Sequence, residues 1–287
     1  MSNVVPDPSL NMRSISPFRY PGGKAFLYKY LLGRVEALPD GNRYYAEPFC
    51  GGAGSAVILL KLDAVEMIHL NDADLKVYAA WRAILEETER FAAAIEETKV
   101  DLDNWHASRH IVDSASEYSF ELGFATFFLN RTSRSGIVAG AGPIGGYDQR
   151  GAWKVDARFN REALAERVRW LGSVSDRIRL TREDALTFLT RSVSRIPIQQ
   201  TLFFVDPPYV TAGGRLYLNA MSESKHIALS DILQDDVLPH WVLTYDDHPL
   251  IRDLYKDRPI TDLAVNYSLQ KKRKEQEVLI NDYAAIA

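Results

Sequence analysis

EPFCGGAGS, residues 47–55, lies between an apolar strand-like run, Tyr44–Phe49, and a helical run, Ala53–Lys61. Glycines let a strand turn sharply into a helix and let a ligand approach the backbone closely. The helix that follows offers unpaired N–H groups at its start. Ligands of parallel sheets bind beyond the carboxyl ends of the strands, where such a turn lies. A tight strand–helix turn without a ligand would look the same in sequence. One strand later, after Val65–Leu70, HLNDAD places Asp72 at a carboxyl end about 20 residues past the turn. A carboxylate at that spacing suits ribose hydroxyls. Asp72 or Asp74 could equally cap the helix that starts at Leu75. Together, turn and carboxylate favour a ligand containing a nucleoside. No GxxxxGK[ST] occurs, which argues against a P-loop nucleotide hydrolase.

Strand and helix signals alternate outward from this turn, the pattern of an α/β fold. Leu75–Lys99 reads as helical, with Leu75, Tyr78, Trp81, Leu85, Phe91 and Ile95 on one face. Arg177–Thr181, Thr201–Val205 and Trp241–Thr244 read as buried strands. Thr261–Ser268 and Glu275–Asp282 flank the basic stretch QKKRK and read as a hairpin, so an antiparallel pair should finish a seven-stranded sheet. The alternation lapses between about Asp101 and Arg177. The first half of that interval is helical. The second half, RTSRSGIVAGAGPIGGYDQRGAWKVDARF, is rich in Gly and Arg and has no core period. The expected division is a main domain of residues 1–100 and 160–287 with a smaller subdomain, 101–159, inserted into it.

Composition narrows the function. The chain has 287 residues, 34 basic against 38 acidic, and a net charge of -4, so only local patches could attract polyanions. The longest apolar run, Ala56–Leu60, is far short of the roughly 20 residues of a membrane span. The first residues, MSNVVPDPSL, have neither a basic start nor an apolar core, so no secretory signal is expected, and a cytoplasmic location is. The single cysteine, Cys50, excludes an internal disulfide framework. The histidines are scattered without HExxH spacing, and no metal site is expected.

TLFFVDPPY, residues 201–209, carries the chemistry. Two prolines give the strand a rigid exit and hold Asp206 at the carboxyl edge of the sheet. Asp206, the Pro207 carbonyl and the Tyr209 ring could grip an exocyclic amine while its base stacks. A strand stop with a capping Asp and a surface Tyr is the plainer account.

In chain order, SPFRYPGGK (16–24), EPFCGGAGS, the Asp after the second strand, FLNRTSRSG (128–136) and DPPY resemble the Dam-type adenine-N6-specific DNA methyltransferases. The resemblance runs from residue 16 to about 281. It implies a class I methyltransferase sheet with an inserted, mainly helical target-recognition subdomain. It also implies S-adenosylmethionine as methyl donor and double-stranded DNA as partner, and leaves open whether the protein acts alone or beside a cognate restriction enzyme in the same cell. Tyr20, Gly22, Gly23, Lys24, Glu47, Phe49, Gly51, Gly54, Asp72, Asp184 and Asp206 would contact the donor. Asp206, Pro207, Pro208 and Tyr209 would serve the target base. Cys50 lies in the donor turn and is not expected to act as a nucleophile, because transfer to an exocyclic amine needs none. The alternatives are an exocyclic-amine cytosine methyltransferase, in which Ser often replaces the Asp before PPY, and a catalytically silent DNA-binding protein.

For DNA, residues 126–159 hold five basic and two acidic side chains, a local +3. Arg131 and Arg134 are the candidate base or phosphate contacts. Lys271, Lys272, Arg273 and Lys274 form a second cluster, which could instead only guard a sheet edge.

Overall fold

All five side chains of Thr201–Val205 are buried, which requires a strand covered on both faces. This strand is the fourth of seven: β1 (Tyr44–Glu47), β2 (Met67–Asn71), β3 (Ile178–Thr181), β4 (Thr201–Val205), β5 (Trp241–Asp246), β6 (Ile260–Asn266) and β7 (Lys274–Asn281). The computed structural model describes residues 15–19, 23–210, 221–266 and 274–282. The strands join in the order β3-β2-β1-β4-β5-β7-β6. The first five are parallel, and β7 runs antiparallel between β5 and β6. This is the seven-stranded sheet with its antiparallel hairpin that the sequence led us to expect. Strand order reverses between β1 and β4, so the crevice beyond their carboxyl ends is where such a sheet binds ligands.

The helices are α1 (Tyr28–Glu36), α2 (Gly54–Lys61), α3 (Leu75–Glu86), α4 (Thr88–Glu97), α5 (Leu102–Ser114), α6 (Phe120–Thr132), α7 (Arg161–Ser173), α8 (Ala185–Arg195), α9 (Glu223–Gln234) and α10 (Pro249–Leu254). The single helix expected over 75–99 is two. The backbone leaves the helical region at Glu87 (φ -126°), and the Thr88 hydroxyl donates back to the Ile84 carbonyl at 2.8 Å. The break turns α4 onto α7, where Gly172 leaves room for Thr88; a Cβ there would lie 2.3 Å from the Thr88 hydroxyl oxygen.

One core covers the β1–β3 side and draws on Ile68, Leu70, Trp81 and the α2 residues Val57–Leu60. Trp105, Val112, Phe127, Phe128 and Phe159 belong to that same core, so the interval 101–159 shares its apolar interior with the sheet. Close packing of α6 on α3 depends on Gly123, whose added Cβ would sit 2.5 Å from the Ala79 carbonyl oxygen. A second core, around Phe203, Val205, Leu229, Trp241, Tyr245 and Ile280, fills the region of β4, β5 and β7.

Candidate active site

The glycine turn is pinned from three directions. Gly51 adopts φ +46°, the left-handed region that glycine enters without a side-chain clash. Its N–H donates to Asp72 Oδ2 at 2.9 Å, and its carbonyl accepts from the Trp81 indole at 2.8 Å. The Ser16 hydroxyl donates to the Gly52 carbonyl at 2.6 Å. Asp72 also accepts from the Asp74 N–H, while Asp74 itself caps α3 through the Lys76 N–H. Asp72 therefore fixes the turn, and the capping duty falls to Asp74. Burial pushes the Asp72 carboxyl up to about 6, against the hydrogen bonds from Asp74 and Gly51 that lower it. Asn71, just before it, ties three strand ends together. Its amide donates to the Pro48 and Glu183 carbonyls, and its oxygen accepts from the Glu183 N–H and the Thr181 hydroxyl. No local signal marks Ser16, Asn71 and Trp81 for these roles.

The turn opens on a cavity of about 620 Å³ at the carboxyl ends of the strands. Gly23, Lys24, Glu47, Phe49, Gly51, Gly54, Asp72, Asp184, Asp206 and Pro208 all line it, so most of the expected site residues meet there. Glu47 is 4% exposed, and burial, with Asp206 nearby, raises its carboxyl to about 8. Asp184 caps α8 and pairs with Lys225 at 2.8 Å, which lowers its pKa. Cys50 is buried, and burial, then Asp72 and Glu47, push its thiol up, so it stays protonated and poorly nucleophilic. Tyr20 and Gly22 lie outside the described residues.

Asp206 leaves the end of β4 into a charged network. The Thr244 hydroxyl of β5 donates to its Oδ1 at 2.6 Å, and the Lys24 ammonium lies 3.2 Å from the same oxygen. Lys24 also donates to the Tyr209 hydroxyl at 2.7 Å and stands 3.4 Å from Glu277 of β7. Tyr209 in turn donates to Glu277 Oε1. The open ring face expected at Tyr209 is not what the structure has. The ring is 9% exposed and packs near Tyr245, because its hydroxyl is drawn inward between the Lys24 ammonium and the Glu277 carboxylate. Pro207 is buried beside it. Thr244 and Glu277 were missed from sequence; neither stands in a motif, and both reach the site only through strand pairing.

Arg131 lines the same cavity, but its guanidinium is engaged internally. It donates to the Arg158 carbonyl at 2.6 and 2.9 Å and to the Pro17 carbonyl at 3.4 Å. Arg134 is exposed in a short 3-10 turn. Asn130 clamps the segment before Lys24, accepting from the Arg19 N–H and donating to the Arg19 and Gly136 carbonyls. Lys271, Lys272 and Arg273 lie outside the described residues, and Lys274 opens β7. Among the described residues, no cluster of His, Cys, Asp and Glu could hold a metal, and no helix is long and apolar enough to cross a membrane.

Sheet order and the position of the site at the strand switch define a class I S-adenosylmethionine-dependent methyltransferase fold. Residues 20–121 match the family model described as D12 class N6 adenine-specific DNA methyltransferase, which bears out the resemblance to the Dam-type family. Similar solved structures include two of the rRNA methyltransferase AviRa from Streptomyces viridochromogenes. They are 14% identical, with TM-scores of 0.38 and 0.42, and the matches cover 94% and 97% of this chain and 90% and 94% of those. A SAM-dependent methyltransferase from Agrobacterium tumefaciens is 12% identical with a TM-score of 0.42, covering 90% of this chain and 61% of that one. No curated protein matches the chain. The family match over residues 20–121 supports methyl transfer from S-adenosylmethionine.

Proposed function

We propose that the protein transfers a methyl group from S-adenosylmethionine to the N6 amine of an adenine flipped out of double-stranded DNA. The observation that carries this reading is Asp206, which enters the same cavity as the Asp72-pinned glycine turn. The cavity suits the donor chemically: Glu47, Asp72, Asp184 and Asp206 ring a space that would hold a cationic sulfonium. Asp72 would take the ribose hydroxyls, Gly51 and Phe49 the methionine portion, and Asp184 the adenine. When bound, the donor supplies an electrophilic methyl.

The adenine amine is a weak nucleophile because its lone pair is delocalised into the ring. Asp206 and the Pro207 carbonyl accept its two N–H groups and localise that pair as the nitrogen becomes tetrahedral. Fixed acceptors aimed at developing positive charge stabilise the transition state without reorganising. Lys24 and Thr244 hold the Asp206 carboxylate in place for this. Tyr209 acts by fixing Lys24. Arg134 and the 271–274 cluster contact DNA, residues 101–159 serve as the target-recognition region, and the protein works in the cytoplasm, alone or beside a restriction enzyme.

The test is transfer of labelled methyl to unmethylated duplexes containing adenine or only methylatable cytosine, with DNA binding measured alongside. Label on N6 of adenine is expected. Label on cytosine N4 supports the cytosine alternative, and binding without transfer supports the silent one.

A further inference from the structure

Four of the arginines that line the cavity are in no salt bridge among the described residues. Arg19 precedes Lys24, Arg131 ends α6, Arg158 lies in the loop before α7, and Arg167 is on α7. Elsewhere arginines find carboxylates: Arg34 with Asp282, Arg169 with Glu96, Arg177 with Asp63, Arg252 with Asp247. In a chain with 38 acidic residues these four form no ion pair among the described residues.

For Arg19 and Arg131 the partners are carbonyls. Arg19 reaches the Arg131 and Ser133 carbonyls at 3.5 and 3.4 Å, and Arg131 the Arg158 carbonyl. Carbonyls orient a guanidinium without neutralising it. The like charges feel one another. Burial, then Arg19, Arg167 and Arg158, push Arg131 down to about 9, and burial with Arg158 lowers Arg19. Arg19, Arg131 and Arg167 are partly buried and Arg158 is exposed beside them, and like charges gathered at such a wall cost free energy unless an anion joins them.

We propose that Arg19, Arg131, Arg158 and Arg167 cradle one backbone phosphodiester of the DNA strand whose base enters the cavity. The proposal rests on the adenine-flipping reading above. A guanidinium fork matches two phosphate oxygens, and several forks converging from separate stretches of chain fix a phosphate in place. Arg19 and Arg131, tied to carbonyls, set the floor. Arg158, whose guanidinium lies 6.0 Å from the centre of the Trp153 ring, and Arg167 line the cavity without a hydrogen bond to any acidic group. The cradle would hold the sugar–phosphate of the extruded nucleotide while Asp206 holds its base.

The experiment measures affinity of the full chain for an unmethylated duplex across a salt series, in the wild type and in the Arg158→Gln/Arg167→Gln double variant. Calorimetry with S-adenosylmethionine and thermal melting accompany it. In the double variant the slope of log affinity against log salt should flatten by about one unit, on every DNA sequence alike. Donor affinity should hold, and the melting temperature should stay or rise, since like charges are removed. An unchanged slope overturns the cradle while leaving the methyltransferase reading intact. A loss of donor affinity with an unchanged slope places the anion in the cofactor and also overturns it. Absence of DNA binding by the wild type removes both.

Discussion

Asp206 is held by Lys24 on one side and Thr244 on the other, with its side chain 24% exposed toward the cavity. The Asp206→Ala variant should therefore lose methyl transfer by on the order of a hundredfold or more, as expected when a fixed acceptor for developing charge is removed. Its fold should persist, because the residue lies past a strand end and Lys24 keeps Glu277 as a partner. Near-normal turnover with labelled donor would reject the mechanism. The residue scale also shows why some roles could be foreseen. Gly51, Asp72 and Asp206 each stand at the end of a strand recognisable from its own residues, so their place at the carboxyl edge followed from local pattern. Glu277 and Asn130 act on Lys24 and Arg19, 253 and 111 positions away, and no local signal marks them.

At the scale of elements, the alternation of apolar runs placed β1 to β5 and the final hairpin close to where they lie. It failed at Glu87, where one amphipathic pattern continues through a change of direction; the faces of α3 and α4 are both apolar, and periodicity alone cannot see a bend between them. The interval 101–159, read as a smaller subdomain inserted into the sheet, contributes Trp105, Phe127, Phe128 and Phe159 to the core that also holds Ile68 and Leu70 of β2. The irregular stretch after α6 is locked to the N-terminal segment by Gly136, which has φ +76° and whose Cβ would lie 2.1 Å from the Arg19 carbonyl oxygen. The Gly136→Ala substitution should cost on the order of 1–3 kcal/mol from left-handed strain alone, with the backbone clash adding to it. A lowered melting temperature and faster proteolysis near residues 15–19 are the expected readouts; a melting temperature equal to the wild type would show that the two segments part freely.

For the molecule as a whole, the acid ring that suits a cationic donor burdens the free protein. Glu47 is raised from 4.5 to about 8 and Asp72 from 3.8 to about 6. Each unfolded carboxyl ionises first, so the stability it contributes is full below the unfolded value and is lost as pH climbs through the folded one. Stability should decline from about pH 4.5 to about pH 8 on account of Glu47, by roughly 1.4 kcal/mol for each unit of its shift. The Glu47→Gln variant should flatten that decline, and melting curves at about pH 5 and about pH 8 would show it; an equal drop in both proteins would clear Glu47 as the source. The Lys24–Glu277 contact carries a different consequence, for synthesis. On the ribosome, Lys24 emerges early, Asp206 follows with β4, and the second carboxylate partner, Glu277, comes only after nearly the entire sheet has been made. The Lys24–Asp206–Tyr209–Glu277 network is thus completed last. A nascent chain can hold β1, β2 and their helices while that network is incomplete, and a chain stalled before β7 leaves Lys24 with Asp206 and Tyr209 but without the Glu277 carboxylate that completes the network.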